Sequence, residues 1–309
     1  MSKALDPLTL LETFTRICDR GSISAAARDL GLSQASASRQ LRALEERLGI
    51  QLIRRTTHTL AVTEAGLALL SDARGLIADW QAIEERHAAS AGVVKGPLKV
   101  VAPVALGQLH LAEIAFAFQR AHPLVSLTWQ LEDQAIRFSE VGCDCWIRIG
   151  PVPDDRLVVR RLGRVERLVV ARPELPGVSD CAGTDDAERL PFVALDPFEG
   201  GRIGLYGPGG ASVEIAPVIT VHTNSIFALH RAVLAGLGTA ILPRWFVEGD
   251  LQSGRLVDVL SDWRAARLDV NVAFLPARRQ PERLRLFLQA LEQGLQAMPG
   301  VAAGTIEPG

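Results

Sequence analysis

Apolar residues recur at helical spacing near the start of the chain, on either side of a short polar break. Residues 21–48 are predicted to form two short helices joined by a tight turn, in which Gly31 supplies the permissive backbone that the bend requires. Ser22 or Ser24 is the candidate cap of the first helix and Ser33 that of the second, because a hydroxyl there accepts from a free backbone N–H. The pattern therefore indicates a helix-turn-helix.

The second helix has two chemically different faces. Its buried stripe, apolar at every third or fourth position, is predicted to contain Ala37, Leu41, Leu44 and Leu48. At about 100° per residue, the opposite face carries Ala35, Ser38, Arg39 and Arg42. A small residue, a hydroxyl and guanidinium groups suit base edges and phosphates. A purely structural hairpin would explain any one of these arginines, but the ordered set favours a helix that enters the DNA major groove.

A basic pair follows this helix. Within residues 52–66 it leads through a polar turn into a short apolar stretch, which is typical of a wing with Arg54 and Arg55 against the sugar–phosphate backbone. The chain has a net charge of −2, yet residues 28–58 hold six arginines against three acidic residues. Positive charge is thus focused on the predicted DNA-contacting elements, so binding should weaken as salt is added.

Residues 64–91 contain no proline and few β-branched residues. They are predicted to form one helix about 40 Å long. Apolar positions along it step by four and three, which is the heptad seam with which one helix packs along another. The predicted seam contains Leu69, Ala73, Leu76, Trp80 and Ile83. An amphipathic helix lying on its own domain is the alternative, whereas a paired helix would present two DNA-reading helices to two half-sites.

From Leu98 onwards strands alternate with helices. Strands are predicted at 98–103, 125–131, 143–150, 167–173, 216–223 and 269–276, and the chain ends in a helix over 281–297. This alternation favours a mostly parallel sheet with helices on both faces. Two α/β lobes, the second at about 164–268, would enclose a cleft for a small ligand.

Ligands of open α/β sheets collect at the carboxyl ends of strands, where helix N-termini offer free N–H groups. Two segments fit this position: Pro103, Val104 and Ala105 after the first strand, and Thr223, Asn224 and Ser225 before a helix of the second lobe. Ser225 is also a natural helix cap. Both segments are therefore candidate walls of the ligand site.

Motifs along almost the whole chain resemble those of LysR-type transcriptional regulators. In the first part they are AAA at 25–27, LGLSQ at 30–34, SRQ at 38–40, LE at 44–45, LG at 48–49 and TEAG at 63–66. In the second part they are KVVAPVALGQLHLAEIAFAFQRAHP at 99–123, RIG at 148–150, VVRRLG at 158–163 and AGLGTAILP at 235–243. Residues 195–214 match weakly. Ala35 stands where the family usually has proline, and His58 where it often has a basic wing residue.

The resemblance implies a fold that is α/β overall. A winged helix-turn-helix would occupy residues 1–66, a linker and dimerisation helix with its hinge 67–92, and a two-lobed α/β effector domain of periplasmic-binding-protein type 93–309. The long helix would pair two subunits into a homodimer, and dimers would assemble into a homotetramer.

The resemblance also assigns roles to residues. It adds Ser33, Gln34 and His58 to the DNA-contacting set, and Trp129 and Gly150 to the walls of the effector site. Many relatives carry a Ser or Thr near Val104 for an acidic effector, whereas this loop is largely apolar. A ligand with an apolar or aromatic part is therefore expected.

The predicted function is a sequence-specific, DNA-binding transcriptional regulator that is controlled by a small-molecule effector. Its partners would be a double-stranded DNA operator, the effector and itself. No apolar run of 18 residues and no signal peptide occur, so a cytoplasmic location away from membranes is expected. The six histidines have no metal-ligand spacing, and no metal or cofactor is expected. An architectural DNA-binding protein would not need a cleft-forming second half.

Two alternatives stay open at this stage. Cys143 and Cys145 lie two apart on a predicted strand, so both should point to the same face. A redox sensor would need an accessible thiolate of low pKa there, whereas free cysteine is usually a buried small hydrophobe. The other alternative is an α/β enzyme with an appended DNA-binding domain, although no nucleophile elbow, phosphate loop or paired-carboxylate signature occurs.

Overall fold

The computed structural model of the chain describes residues 6–55, 60–88, 94–196, 201–277 and 280–303. Its N-terminal part consists of three helices, a hairpin and a long helix: α1 (Pro7–Arg20), α2 (Ile23–Asp29), α3 (Gln34–Leu48), β1 (Ile53–Arg55), β2 (Leu60–Val62) and α4 (Glu64–Ala88). The two helices predicted within 21–48 are confirmed as α2 and α3. The long helix predicted from residue 64 is confirmed as α4.

Serine hydroxyls begin both helices of the helix-turn-helix. Ser22 Oγ accepts from the backbone N–H of Ala25 at 3.4 Å, and Ser33 Oγ accepts from that of Ser36 at 3.1 Å. Between the two helices Gly31 has φ of 66°, the left-handed region in which a side chain is costly. Of the two candidate caps of α2, Ser22 is therefore the one used.

The three N-terminal helices share one apolar core, which includes Leu10, Phe14, Ile17, Ala26, Ala37, Leu41 and Leu44. The prediction that Leu48 is buried is wrong: its side chain is 43% exposed, because α3 ends there and the chain changes direction at Gly49. The prediction that Ser38 lies on the exposed face is also wrong, since it is only 8% exposed. The buried face of a packed helix is wider than its strictly apolar stripe.

The C-terminal part begins with β3 (Gly96–Ala102), α5 (Val104–Leu106), α6 (Ala112–Ala121), β4 (Val125–Leu131), α7 (Phe138–Val141) and β5 (Cys145–Ile149). It continues through β6 (Val158–Ala171), α8 (Thr184–Glu188), β7 (Phe192–Leu195), β8 (Ile203–Tyr206), β9 (Ser212–Ile215), β10 (Ile219–Thr223) and α9 (Ile226–Leu234). The last elements are β11 (Ala240–Pro243), α10 (Arg244–Gln252), β12 (Val257–Asp258), β13 (Arg264–Phe274), α11 (Glu282–Gln296) and β14 (Val301–Ala303). No helix among the described residues combines the length and apolar character needed to cross a membrane.

The main sheet is mixed, so the prediction of a mostly parallel sheet is wrong. Its central strands follow the order β11-β6-β13-β5-β3-β4. Only β3 pairs in parallel, with β4 and β5, whereas β13 runs antiparallel to β5 and β6, and β11 antiparallel to β6. The antiparallel pairs arise because β6 and β13, both longer than predicted, carry the chain between the lobes in opposite directions. A short parallel pair, β7 and β10, forms a separate sheet.

Three groups of buried side chains define the two lobes. The core of the first lobe includes Leu98, Val100, Ile147, Val272, Phe287 and Leu291. The second lobe has one core on each side of β6, because neighbouring strand residues point to opposite faces. Val169 packs with Phe192 and Ile241 on one side, while Leu168 packs with Val193 on the other. Elements from the beginning and the end of the C-terminal part, β3 on one side and β13 with α11 on the other, therefore build the first lobe together.

Candidate DNA-binding surface and ligand cavity

The N-terminal half of α3 presents an exposed polar and basic surface. Gln34, Ala35, Arg39 and Arg42 are all exposed. Arg39 donates to Ser36 Oγ at 3.3 Å, and neither Arg39 nor Arg42 forms an ion pair with a carboxylate of the described residues. Their charge is therefore available to an anionic partner.

The arginines of α1 behave differently. Arg20 Nε lies 2.5 Å from Asp29 Oδ2, and Arg16 lies 3.9 Å from the same atom. This ion pair raises the pKa of Arg20 and lowers that of Asp29. Arginines that support the fold are thus paired within the chain, whereas those on the predicted DNA-reading face are not.

The strands β1 and β2 form the hairpin that was predicted from the sequence to be the wing. They pair antiparallel, with Arg54 opposite Ala61 and Arg55 opposite Leu60. The Arg54 side chain is exposed. The side chain of Arg55 and the whole of His58 lie outside the described residues. The predicted DNA contacts of all three residues stay predictions.

Sequence reasoning missed the polar contacts that hold the hairpin against α3 and α4. Glu45 Oε1 accepts from the backbone N–H groups of Leu52 at 2.9 Å and Ile53 at 3.2 Å. Thr63 Oγ1 donates to the Gln51 carbonyl at 2.8 Å and accepts from the Gly66 N–H at 3.0 Å. The signal was present in the LE and TEAG motifs, which supply a carboxylate and a capping hydroxyl.

A second polar contact lies inside the helical core. Thr13 donates through its hydroxyl to Gln40 Oε1, and both residues are buried. A buried amide and hydroxyl that satisfy each other fix how α1 crosses α3. No sequence pattern pairs them, because they lie on different helices.

The predicted seam of α4 divides into a covered part and an exposed part. Leu69 is partly buried against the core of the first three helices, and Ala73 is fully buried within the chain. Further along the helix Leu76, Trp80 and Ile83 are 54%, 45% and 38% exposed. Three large apolar side chains at the spacing of one helix face are therefore left facing solvent. Large apolar side chains exposed next to one another are a mark of an interaction site.

One arginine of α4 joins the DNA-binding part to the first lobe. Arg74 forms an ion pair with Asp19 at the end of α1, and its other terminal nitrogen donates to the Phe138 carbonyl at 3.5 Å. Gly142, with φ of 62°, lies directly against this guanidinium, where a side chain would overlap it. The close approach therefore requires a glycine after α7.

A cavity of about 360 Å³ lies between the two lobes. Its first-lobe wall includes Pro103, Trp146 and Arg148, and its second-lobe wall includes Leu195, Asn224, Ile226 and Ile241. Most of the lining is apolar, and the volume is at the small end of the range for ligand pockets. The cavity is thus suited to one small molecule in contact with both lobes.

The structure brings together only part of the predicted ligand site. Pro103, Ala105 and Asn224 line the cavity, whereas Val104, Trp129, Gly150, Thr223 and Ser225 do not. These five have structural contacts instead. The Val104 N–H donates to Asp133 Oδ1 at 2.8 Å, the Gly150 carbonyl accepts from Asn271, Thr223 Oγ1 accepts from the Ser225 N–H, Ser225 Oγ caps α9, and Trp129 packs on the first-lobe core. Ligand contact by any member of the set stays a prediction.

Arg148 is one of the cavity residues that sequence reasoning did not single out. Its Nε donates to the Pro151 carbonyl at 2.7 Å, and its guanidinium lies over the ring of Trp146, 5.1 Å from the centroid. Burial lowers the pKa of Arg148. No carboxylate of the described residues pairs with it. The RIG motif contained this residue, but nothing in the sequence indicated that its side chain faces the cavity.

Cys143 and Cys145 lack the geometry of a redox pair. The prediction that Cys143 and Cys145 share a face is wrong, because β5 begins only at Cys145 and the two residues lie in different cores. Burial raises the pKa of Cys143 to about 12 and that of Cys145 well above its ordinary value. Such thiols are poor nucleophiles at neutral pH, so redox sensing is not favoured. Among the described residues no group of three or more His, Cys, Asp or Glu side chains could hold a metal ion.

The fold is that of a ligand-responsive DNA-binding protein. It combines a winged helix-turn-helix, a long helix with an exposed apolar face and a two-lobed domain with a cavity. Two family models agree with this class. "Bacterial regulatory helix-turn-helix protein, lysR family" matches residues 8–67, and "LysR substrate binding domain" matches residues 91–296. The chain belongs to the LysR family of bacterial transcriptional regulators.

Individual relatives extend over nearly the whole chain. The chain is 30% identical over 305 residues to the HTH-type transcriptional regulator PtxR of Pseudomonas aeruginosa, covering 97% of this chain and 98% of that protein. The crystal structure of ArgP from Mycobacterium tuberculosis has a TM-score of 0.68 at 18% identity, covering 97% of this chain and all of that chain. Full-length LysG from Corynebacterium glutamicum with bound effector Arg has a TM-score of 0.62 at 21% identity, over 94% and 99% of the two chains. The two structures support the fold.

Proposed function

We propose that this LysR-type regulator binds its operator as a homodimer, with one α3 in the major groove of each half-site and the β1–β2 hairpin against the adjoining backbone. The exposed and unpaired Arg39 and Arg42 on α3 are the observation that carries this proposal. Gln34 and Ala35 lie exposed beside them, and small or amide side chains suit base edges. Arg54 on the hairpin supplies a phosphate contact.

The proposed division into domains is the one that was expected from the sequence. Residues 1–66 contact DNA, residues 67–92 pair the subunits and residues 93–309 bind the effector. The interval between the two family matches, at 8–67 and 91–296, is occupied mainly by α4 and supports these boundaries. A protein with this task works where the chromosome lies, in the cytoplasm.

The dimer contact is assigned to the exposed part of α4. Leu76, Trp80 and Ile83 repeat at heptad spacing and would be covered by the same helix of a second subunit. Two dimers in a tetramer are the larger assembly that the family resemblance implies. Sedimentation of the full-length protein distinguishes monomer, dimer and tetramer.

The cavity between the lobes is assigned to the effector. All the described residues that line it lie within 91–296, the part of the chain that matches the LysR substrate binding domain. A regulatory rather than catalytic role is therefore proposed for it. The ligand changes DNA binding by stabilising one arrangement of the two lobes.

Selection from a library of random DNA duplexes with the full-length protein tests the DNA-binding assignment. The enriched sequence should have two symmetric half-sites, with centres separated by about 10 base pairs or a multiple of that spacing. The double variant Arg39→Ala, Arg42→Ala should enrich nothing. Enrichment of the same sequence by this variant would show that another surface reads the bases.

A further inference from the structure

We infer that the ligand of the cavity is a small monocarboxylic acid with an apolar body, whose carboxylate is bound by the guanidinium of Arg148. This inference rests on the proposed role of the cavity as the effector site. It adds the chemical class of the ligand and the residue that recognises it.

The contacts of Arg148 leave one edge of its guanidinium open. Nε is used by the Pro151 carbonyl at 2.7 Å, and one face of the group lies on the Trp146 ring. The two terminal nitrogens have no hydrogen-bond partner among the described residues. They form a planar fork of the geometry that binds both oxygens of a carboxylate. The contact to Pro151 and the stacking on Trp146 hold this fork in place before a ligand arrives.

The surroundings of the fork favour an anion. Arg148 lies among apolar lining side chains such as Ile149 and Leu106, and burial lowers its pKa. A cation that has lost part of its hydration without gaining a counter-ion is costly, and a carboxylate in the cavity would offset that cost. The protein therefore contains half of an ion pair whose other half the ligand supplies.

Three carboxylates outnumber the two arginines on the same lining and favour a ligand with a single negative charge. Glu132, Asp133 and Asp196 line the cavity, and Glu132 and Asp133 form no ion pair among the described residues. The second arginine of the lining, Arg167, is buried and donates to a backbone carbonyl. A phosphate or a dicarboxylate would bring its second charge towards these groups, and like charges at close range repel. A monocarboxylate satisfies Arg148 with the least repulsion.

The second lobe supplies the site for the rest of the molecule. Leu195, Ile226 and Ile241 form an apolar wall opposite Arg148, and a volume of about 360 Å³ leaves room for a compact body only. An acid held by Arg148 would therefore place its apolar part against the other lobe. Such a ligand would contact the first lobe through its carboxylate and the second lobe through its apolar part. It would therefore favour the arrangement in which the two lobes are closed.

A panel of small carboxylic acids, each paired with its own primary amide, tests the inference by calorimetric titration of the full-length protein. The panel includes hexanoate and 3-phenylpropanoate, together with phenyl phosphate, a dicarboxylate and phenylalanine as other charge types. The tightest binder should be a monocarboxylate, and its amide should bind at least about tenfold more weakly. If the tightest binders are amides, zwitterions or phosphates, or if no acid binds, the inference is wrong.

Variants assign the contact to Arg148. Arg148→Met keeps the length of the side chain without its charge and should lose the preference for acid over amide. Arg148→Lys keeps the charge without the fork and should recover only part of it. Arg120→Met, on the exposed surface of α6, is the matched control and should bind like the wild type. If Arg148→Met fails to fold, the comparison of acids with amides on the wild type still tests whether the ligand is recognised through its carboxylate.

Failure of the proposed function has a different signature. In that case an acid would bind through Arg148, yet affinity for the selected DNA and the shape of the complex would not change. If instead a ligand of another class binds and alters DNA binding, the proposed function stands and the carboxylate inference is overturned.

Discussion

Two glycines of α4 have opposite surroundings although both lie in regular helix. A Cβ at Gly66 would overlap the Leu52 carbonyl oxygen and come within 2.8 Å of Val62 Cγ1, whereas one at Gly75 would meet nothing within 4 Å. Gly66→Ala should therefore destabilise the protein by about 1–3 kcal/mol, since backbone must move to admit the methyl group. Gly75→Ala should stabilise it by up to about 1 kcal/mol, because alanine is the better helix former. Thermal unfolding followed by circular dichroism should show shifts of opposite sign, and equal shifts would contradict the packing described at Gly66.

Base reading and phosphate binding can be separated at two arginines. Arg39→Ala should reduce the preference for the selected operator over random duplex by about 1–3 kcal/mol, because a guanidinium contact to a base edge is lost. Arg54→Ala should weaken binding to both duplexes alike and reduce the salt slope by about one. Fluorescence anisotropy titrations at several salt concentrations measure both quantities. If Arg39→Ala leaves the ratio of operator affinity to random-duplex affinity unchanged, the bases are read by a different face of α3.

The sequence predicted the helix caps and the exposed arginines of α3 better than it predicted which residues line the cavity. The caps Ser22 and Ser33 and the exposed Arg39 follow from spacing within one helix, where each position fixes its neighbours. Ser38 was misplaced because burial depends on the width of the contact between helices. Arg148 was missed because the cavity is assembled from elements far apart in sequence, and the strand-end rule located backbone segments rather than side chains.

At the scale of whole elements, the exposed face of α4 should hold two subunits together. Trp80→Asp would place an unpaired charge in that contact, which is strongly unfavourable. Dimers and operator affinity should both be lost, while the C-terminal domain stays folded. Ala68→Asp adds the same charge at an exposed position of α4 outside the seam and should leave the oligomer intact. Sedimentation of both variants measures their oligomeric state. A dimer of Trp80→Asp would mean that another element joins the subunits.

The contact of α1 and α4 with α7 depends on Arg74. Arg74→Met removes the ion pair with Asp19 and the bond to the Phe138 carbonyl from a side chain that is only 12% exposed. We expect faster hydrogen exchange of the backbone amides over 138–142 and a lower thermal midpoint. Arg137→Met, which breaks the exposed pair with Glu140, should change neither because exposed ion pairs contribute little. Unchanged exchange in Arg74→Met would show that the contact is not stabilising.

For the molecule as a whole, the alternation of strands and helices predicted the class of the C-terminal fold but not the direction of its strands. Hydrophobic periodicity locates a buried strand without its orientation, and orientation depends on which lobe the chain leaves and which it enters. For that reason β6 and β13 were recognised only in part, and the sheet was expected to be mostly parallel. The division of the chain into a DNA-binding part and a ligand-binding part could be predicted without knowing the orientation of the strands.

Completion of the first lobe by the last elements predicts an asymmetry between truncations. A chain ending at residue 263 would lack β13 and α11, so the apolar faces of β5 and β3 would stay uncovered. We expect this fragment to aggregate on expression. A fragment of residues 1–88 retains the whole core of the first three helices and should be soluble and helical. Soluble expression and circular dichroism measure both outcomes, and a soluble, folded fragment 1–263 would contradict the role assigned to the last elements.

The same arrangement has a consequence for synthesis on the ribosome. The strand β3 begins at residue 96 and its lobe is closed by β13, which begins at residue 264. At about 5–20 residues per second, the nascent chain therefore carries an open apolar sheet for roughly 8 to 34 s. The core of the first three helices is complete long before that time, so α3 and its exposed arginines are formed while the C-terminal sensor is still incomplete. The helix proposed to read DNA is thus formed before the domain proposed to control it.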